Sequence, residues 1–446
     1  MSEPRTTLLG AALMTLLMTS GAPGTPGTPG SPGSTPGSTP VKNSVSDSDS
    51  ILEIKDRYGA ELASDDASLT SVYIIPMQGQ MGTDIHTSIY REVIEEINDA
   101  RPDLVVWALN CADSDPEFGT QDDPTETGRI DLDHYRDLVN MLQDDPRLQD
   151  VRQVMWVHDS EGISSVVAMA WPEMYMAPGA RLQGLQQLYD GIDDNVSDAD
   201  VRAKFLAGVI AMSNGFLQMG GHPTHLGEAM INPEHRLAAT WHGREVWWTL
   251  NGEGDYLIDQ SEDETATFNS KTAEDFGISD GTAETLDDLL LLLGYREYRL
   301  IDGRAERKLE EYQANWRRAY EQSLAALIDY NTHLGWAGGS GRGGGGIGGA
   351  GGVGRGGGAG RGSGRGGSRT SAAQSRIKYL SMARNDLKKV VAAMKRYEAV
   401  EYRLALQGTQ LVPTELNIER LTERLRLLRE AEKDSRGNGR GDGRGR

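Results

Sequence analysis

The sequence predicts an α/β fold with a mostly parallel sheet, and three observations predict it. Strand-like and helix-like segments alternate between residues 71 and 157, and one of the strand segments is apolar along nearly its whole length. Only the middle of the 446-residue chain is patterned in this way; the flanking stretches are too poor in apolar residues to bury a core of their own.

Ser71-Val-Tyr-Ile-Ile75 is β-branched and aromatic and stops at Pro76 and Gly79, which reads as a strand. Asp84 is the expected N-cap of a helix whose Ile85, Ile89, Val93 and Ile97 recur every four residues and so share one face. Leu104-Val-Val-Trp-Ala-Leu109 alternates apolar onto apolar, as a central strand covered on both sides requires. A helix over about 131–143 and a strand over 151–157 complete a β-α-β-α-β order, which implies right-handed crossovers.

Phe205, Val209, Met212, Phe216 and Met219 then place a helix over 202–219 with one buried stripe. Glu245-Val-Trp-Trp-Thr249, the Asn251-Gly252 turn and Tyr256-Leu-Ile258 read as a β-hairpin, because Asn-Gly accepts the positive φ angles of a type I′ turn. Thr285 caps a short helix over 286–293 that Gly294 ends.

Beyond Asp302, Leu309, Tyr312, Trp316, Tyr320, Leu324 and Leu327 repeat at threes and fours along a charged helix, a coiled-coil-like stripe. Residues 338–367 are dominated by glycine with Arg342, Arg355, Arg361 and Arg365 and cannot pack a core. Helical periodicity returns at 373–406, Pro413 interrupts it, and Leu421, Leu425 and Leu428 mark a last helix. The two are expected to pair antiparallel and to dock on the 303–334 helix. On a lone helix the Trp316/Tyr320/Leu324 stripe would be an exposed apolar patch, which predicts self-association into a homo-oligomer.

The amino terminus has the layout of an export signal: a short head, an apolar run from Leu8 to Met18, and small residues at Thr19-Ser-Gly-Ala22. That run is shorter than the roughly 20 residues a spanning helix needs. The expected location is therefore exported, periplasmic or secreted, or anchored by an uncleaved N-terminal segment, the one route to a membrane. Pro23 to Pro40 is a Thr/Ser-Pro-Gly repeat expected to act as a semi-extended linker. The resulting domain map is 1–22 signal, 23–68 linker, 69–300 α/β domain, 301–336 helix, 337–370 Gly/Arg-rich linker, 371–435 helical hairpin and 436–446 basic tail.

Net charge is −21, divided unevenly. Residues 337–446 hold 22 Lys/Arg against 10 Asp/Glu, a net +12, which leaves −33 for residues 1–336. The acidic body argues against nucleic acid as its partner. The Gly/Arg tract has no interleaved aromatics on which bases would stack, which favours a linker role. The single cysteine, Cys111, excludes an intrachain disulfide framework.

The segment Val166-Val-Ala-Met-Ala-Trp171, the following Met174-Tyr-Met-Ala-Pro-Gly179 and the later Thr272-Ala-Glu-Asp-Phe-Gly-Ile-Ser-Asp-Gly281 resemble the core of the ClpP/crotonase superfamily, in particular the NfeD-type membrane-associated serine proteases. The resemblance spans roughly residues 70–295. It implies a ClpP/crotonase-like β-α-β superhelical core with a C-terminal α-helical extension. It also implies a serine nucleophile at a helix start, glycine N–H groups for the oxyanion, and a lysine base kept neutral by a dry site.

Aligned without gaps from the Met-Ala-Pro-Gly anchor, the family's serine falls on Gly162. Ser160, Ser164 and Ser165 lie two or three residues away; they either cap the following helix or supply a displaced nucleophile, Ser164 first. The family's oxyanion glycines fall on Asp113 and Ser114, and an aspartate there would repel an oxyanion. Lys204 matches the family's lysine at the start of a helix. Two readings follow. In one the chain is a catalytically degenerate scaffold or binding protein whose C-terminal helices take a protein partner; in the other it is an active serine endopeptidase with a Ser164/Lys204 dyad. Neither calls for a cofactor or a metal. His222, His225 and Glu228 read as surface residues rather than ligands, His158-Asp159 sits at a strand's carboxyl end without an evident partner, and Cys111 reads as a buried thiol.

Overall fold

The computed structural model describes residues 57–58, 68–111, 132–258, 264–338, 369–406 and 412–438. The expected signal at 1–22, the Thr/Ser-Pro-Gly repeat at 23–40 and the Gly/Arg stretch at 339–368 lie outside them. In chain order the first half forms β1 (Thr70–Gln78), α1 (Thr87–Ala100), β2 (Leu104–Asn110), α2 (Leu132–Asp144), β3 (Arg152–Asp159), α3 (Ile163–Ala168), β4 (Met174–Met176), β5 (Arg181–Leu182), α4 (Gln186–Asn195), α5 (Ala199–Gly220) and α6 (Thr224–Ile231). There follow β6 (Ala238–His242), β7 (Glu245–Thr249), β8 (Tyr256–Leu257), β9 (Phe268–Asn269), α7 (Ser270–Asp275), β10 (Gly281–Thr282), α8 (Leu286–Leu292), β11 (Tyr298–Leu300), α9 (Ala305–Ala337), α10 (Arg369–Arg396), α11 (Glu398–Leu406) and α12 (Glu415–Asn438).

The architecture is α/β: a six-stranded sheet in the order β10-β4-β3-β2-β1-β11, parallel throughout, with helices on it and a C-terminal helical extension. Side chains alternate between its faces. Tyr73, Ile75, Met77, Val105, Trp107, Leu109, Met155 and Val157 pack with α1, α2 and α3 on one side. Val72, Ile74, Leu104, Val106, Val154 and Trp156 pack beneath Leu286, Leu289 and Leu290 of α8 on the other. Because both faces are buried, β2 is apolar at every position from Leu104 to Leu109. The fully buried Trp107 satisfies its one donor by an Nε1–H bond to Gln153 Oε1 at 2.9 Å.

Local signals hold at α8, where Thr285 and Asp288 form a reciprocal capping box and Gly294 follows at φ +91°. Elsewhere the structure corrects the expectation. The N-cap of α1 is His86, whose Nδ1 accepts from the Ser88 N–H, and not Asp84. In α5 only Ser213, Phe216 and Leu217 are buried, and Phe205 is exposed, so the stripe is covered at one end alone. The expected hairpin is differently paired. β7 pairs with β6 through a turn at Gly243 (φ +70°), and β8 adds to the opposite edge of β6, giving the order β7-β6-β8. Asn251-Gly252 does turn the chain, with the Gly252 N–H bonded to Arg236 O at 2.7 Å, but it carries it across β6 rather than back along β7.

The C-terminal helices dock as a unit. Leu309, Tyr312, Trp316 and Tyr320 of α9 join the main core together with Val390 and Met394 of α10 and Val400 and Leu404 of α11. Tyr330 and Ala337 pack with Leu380, Ala383, Leu387, Leu421 and Leu425. The early part of α10 therefore meets the end of α9, and the two run antiparallel. Trp316 is fully buried and Tyr320 nearly so, so this stripe is covered within the chain and offers no exposed patch.

Two buried carboxylates fasten α9. Asp84, 2% exposed, accepts from the Gln80 N–H (3.0 Å), Trp316 Nε1–H (3.0 Å) and the Arg317 guanidinium (2.9 Å). Gly79 is required beside it: φ there is +97°, and a Cβ would lie 2.5 Å from Asp84 Oδ2. Glu96 accepts from Tyr73 OH (2.7 Å), the Arg304 N–H and Lys308 Nζ (2.7 Å). Burial alone would raise the Glu96 carboxyl, but these donors bring it below its ordinary range.

Replacing Asp84 with alanine would leave the Trp316 donor and the Arg317 charge without their acceptor. Urea unfolding is expected to show a loss of about 2–4 kcal/mol, with faster amide exchange over 305–320. A loss under about 0.5 kcal/mol, the level of an ordinary surface substitution, would remove Asp84 from this role.

Candidate active site

In open parallel sheets ligand sites gather at the carboxyl ends of the strands. At the end of β3 the chain turns into α3 through Ser160-Glu-Gly-Ile-Ser-Ser165. Gly162 occupies that strand-to-helix turn at φ +66°, ψ −133°, a conformation residues with side chains enter only under strain. Its N–H is bonded to Gln183 O at 2.7 Å. A strained strand-to-helix turn is where several α/β enzymes present a nucleophile. Here the residue in that conformation has no side chain to present.

The neighbouring serines are all fully buried. Ser164 closes a local turn, its Oγ accepting from the Glu161 N–H (3.0 Å) and donating to Glu161 O (2.8 Å). Ser165 Oγ accepts from the Gln183 N–H and donates to Gln183 O, both at 3.0 Å. Ser160 Oγ donates to Arg181 O at 2.7 Å and lies 3.0 Å from Ser165 Oγ. These hydroxyls fasten the β3–α3 turn to itself and to the chain at β5.

Lys204 is exposed on α5, and no hydrogen bond joins it to Ser164 among the described residues. The far end of α5 meets the end of α3, since a Cβ on Gly220 would lie 2.1 Å from Met169 O. Lys204 stands sixteen residues back from that contact, about 24 Å along the helix axis. Asp113 and Ser114 lie outside the described residues.

Other titratable groups near the strand ends are packed away. Cys111 is buried with Sγ 3.8 Å from Met77 O. The His158 ring lies against Trp156 (4.1 Å between centroids) and Tyr58 (5.7 Å), and burial pushes it down to about 4. Burial likewise lowers His222, while His225 is exposed and Glu228 accepts from Asn214 Nδ2 at 3.4 Å. These three do not form a ligand cluster among the described residues.

The carboxyl end of β1 is covered by the C-terminal helices. Gln313 Nε2 donates to Gln78 O at 2.9 Å. Tyr402 of α11 packs where a Cβ on Gly82 would sit, 2.7 Å from its ring, and its hydroxyl meets Tyr135 OH at 2.6 Å. The His86 and His134 rings stand 4.5 Å apart beside Tyr402, with the Glu398 carboxylate 3.9 Å from His86 Nδ1. Burial first, then the neighbouring His134 and Arg91, bring His86 down to about 3. This clamp was not foreseen from the sequence. Its one local signal is Asp84 set two residues after Gly82 and five after Gly79.

Three solved structures are similar to this chain. One is the 1510-N membrane-bound stomatin-specific protease, as a lysine-to-alanine variant in complex with a substrate peptide: 11% identity over 50% of this chain and 80% of that one, TM-score 0.30. A serine-to-alanine variant of 1510-N shares 13% identity over 50% and 84%, TM-score 0.33. The 1510-N membrane protease specific for a stomatin homolog from Pyrococcus horikoshii shares 13% over 50% and 78%, TM-score 0.29. No protein-family model and no curated protein matches the chain.

The buried histidines predict an acid-sensitive fold. His86 and His158 have folded pKa values below 6.5, so their stabilising effect is full above that value and is lost as pH falls toward 4. By pH 5 each costs about 2 kcal/mol, because the unfolded chain takes up the proton. His86→Asn keeps an N-cap acceptor and cannot titrate; it is expected to flatten the stability profile between pH 6.5 and 4.5. An unchanged slope in that variant would show His86 to be uncoupled from folding.

Proposed function

We propose that this chain is a catalytically degenerate relative of the NfeD-type serine proteases, an exported scaffold or binding protein built on a ClpP/crotonase-like core. The observation that carries the reading is Gly162. The residue in register with the family's serine sits in the strand-to-helix turn and has no hydroxyl, while the serines around it are buried and engaged. An exposed Lys204 without a nucleophile performs no acyl transfer.

Export rests on the apolar run at Leu8–Met18. Among the described residues no helix is long and apolar enough to cross a membrane. The protein acts as a homo-oligomer. With the α9 stripe covered, the surfaces that support this are Val201 and Phe205 of α5 and Trp247, Tyr256 and Leu257 of the small sheet, all exposed. The C-terminal helices serve a protein partner.

Cleavage of casein or a peptide library by the wild type, Ser164→Ala and Lys204→Ala tests the degenerate reading. Turnover at background in all three is expected; robust cleavage lost in both variants would instead establish a Ser164/Lys204 dyad. For assembly, sedimentation velocity at micromolar concentration is expected to show a species larger than a monomer that Phe205→Asp diminishes. A wild-type monomer would remove the oligomer from the proposal.

A further inference from the structure

We infer that the seam between α10 and α12 is a binding groove for a compact phosphoryl-bearing anion. The groove has a volume of about 390 Å³, within the range of small-ligand sites. Its walls are Arg384 from α10 and Thr422, Arg426, Arg429, Glu430 and Lys433 from α12. Arg426, Arg429 and Lys433 are spaced three and four residues apart, which sets these cations along one face of α12 opposite Arg384. Leu380 and Leu387 of α10 pack with Leu421 and Leu425 of α12, which holds the two helices together at the seam.

Charge accounting distinguishes this groove from an ordinary basic surface. Arg426 is taken up by Glu423, through two bonds of 2.8 and 2.6 Å, and by Glu430 at 2.7 Å. Glu430 is the only carboxylate in the lining, and it is thereby spent. Arg384, Arg429 and Lys433 have no ion pair among the described residues, and the Nε of Arg384 is buried without an acceptor. A buried donor left unmet is costly, so Arg384 enters the groove with its hydrogen-bonding capacity unfilled. Three uncompensated cations around one small groove are matched by a compact group of two or more negative charges. A guanidinium presents paired donors to such a group, where a monocarboxylate would neutralise only one cation. The phosphoryl group could come from a lipid headgroup or from a soluble compound.

The test is calorimetric titration of the purified protein with inorganic pyrophosphate at low ionic strength, with sedimentation on phosphatidylcholine vesicles with and without phosphatidic acid. Saturable pyrophosphate binding is expected, weakened at least about tenfold by Arg384→Gln and by the surface pair Arg429→Gln/Lys433→Gln, and unchanged in Arg424→Gln, which removes the same charge elsewhere on α12. Vesicle binding that pyrophosphate displaces would assign the source to a headgroup; pyrophosphate binding without vesicle binding would assign it to a soluble ligand. No saturable binding, equal weakening by Arg424→Gln, succinate binding as tight as pyrophosphate, or vesicle binding that pyrophosphate does not displace would each overturn the inference.

Discussion

The buried carboxylate of Asp84 ties together parts of the chain more than 230 residues apart. A charge with 2% exposure is tolerable only if donors surround it, and here one comes from its own turn and two from α9. The turn can supply its share only because Gly79 leaves the space the carboxylate fills. Once α9 is seated by Asp84 and Glu96, its buried stripe is in place for α10 and α11 to cover, and Tyr402 reaches Gly82 and Tyr135. The C-terminal extension is thus part of the core rather than a module beside it. It lies over the end of β1, where a parallel sheet would otherwise be open to a ligand.

The β3–α3 turn shows how buried hydroxyls are committed to backbone structure. An acyl-transfer site needs a hydroxyl that is reachable, a base beside it and donors for the oxyanion. In this chain the turn places Gly162 in a conformation open to glycine, while the hydroxyls of Ser160, Ser164 and Ser165 are spent on backbone groups. Such bonds stabilise the turn by closing buried donors and acceptors. A serine held in this way is a structural residue, and freeing it would cost the bonds it makes.

Much of the fold was legible because it is written in local periods. The apolar run of β2, the four-residue recurrence of Ile89, Val93 and Ile97, and the Thr285 cap with its Gly294 stop each describe a contact within a few residues or one covered face. What was not legible depends on distant partners. Nothing near Asp84 announces Trp316 and Arg317, so a capping role was the natural reading of an acidic residue before a helix. Nothing near Tyr256 distinguishes pairing with β7 from pairing with β6, since both are satisfied by the same alternation. The candidate site divides in the same way. Register from Met174-Tyr-Met-Ala-Pro-Gly179 points to Gly162, but the fate of the serine hydroxyls depends on where Arg181 and Gln183 return, and the distance of Lys204 on how α5 meets α3.

The proposed degeneracy requires that Ser160, Ser164 and Ser165 of the β3–α3 turn are not activated for acyl transfer, and a fluorophosphonate probe tests it most directly because it reports a reactive serine whatever the substrate. Intact-mass spectrometry after exposure of the folded protein is predicted to show no adduct. A stoichiometric adduct mapped to Ser164, and absent from Ser164→Ala, would contradict the account.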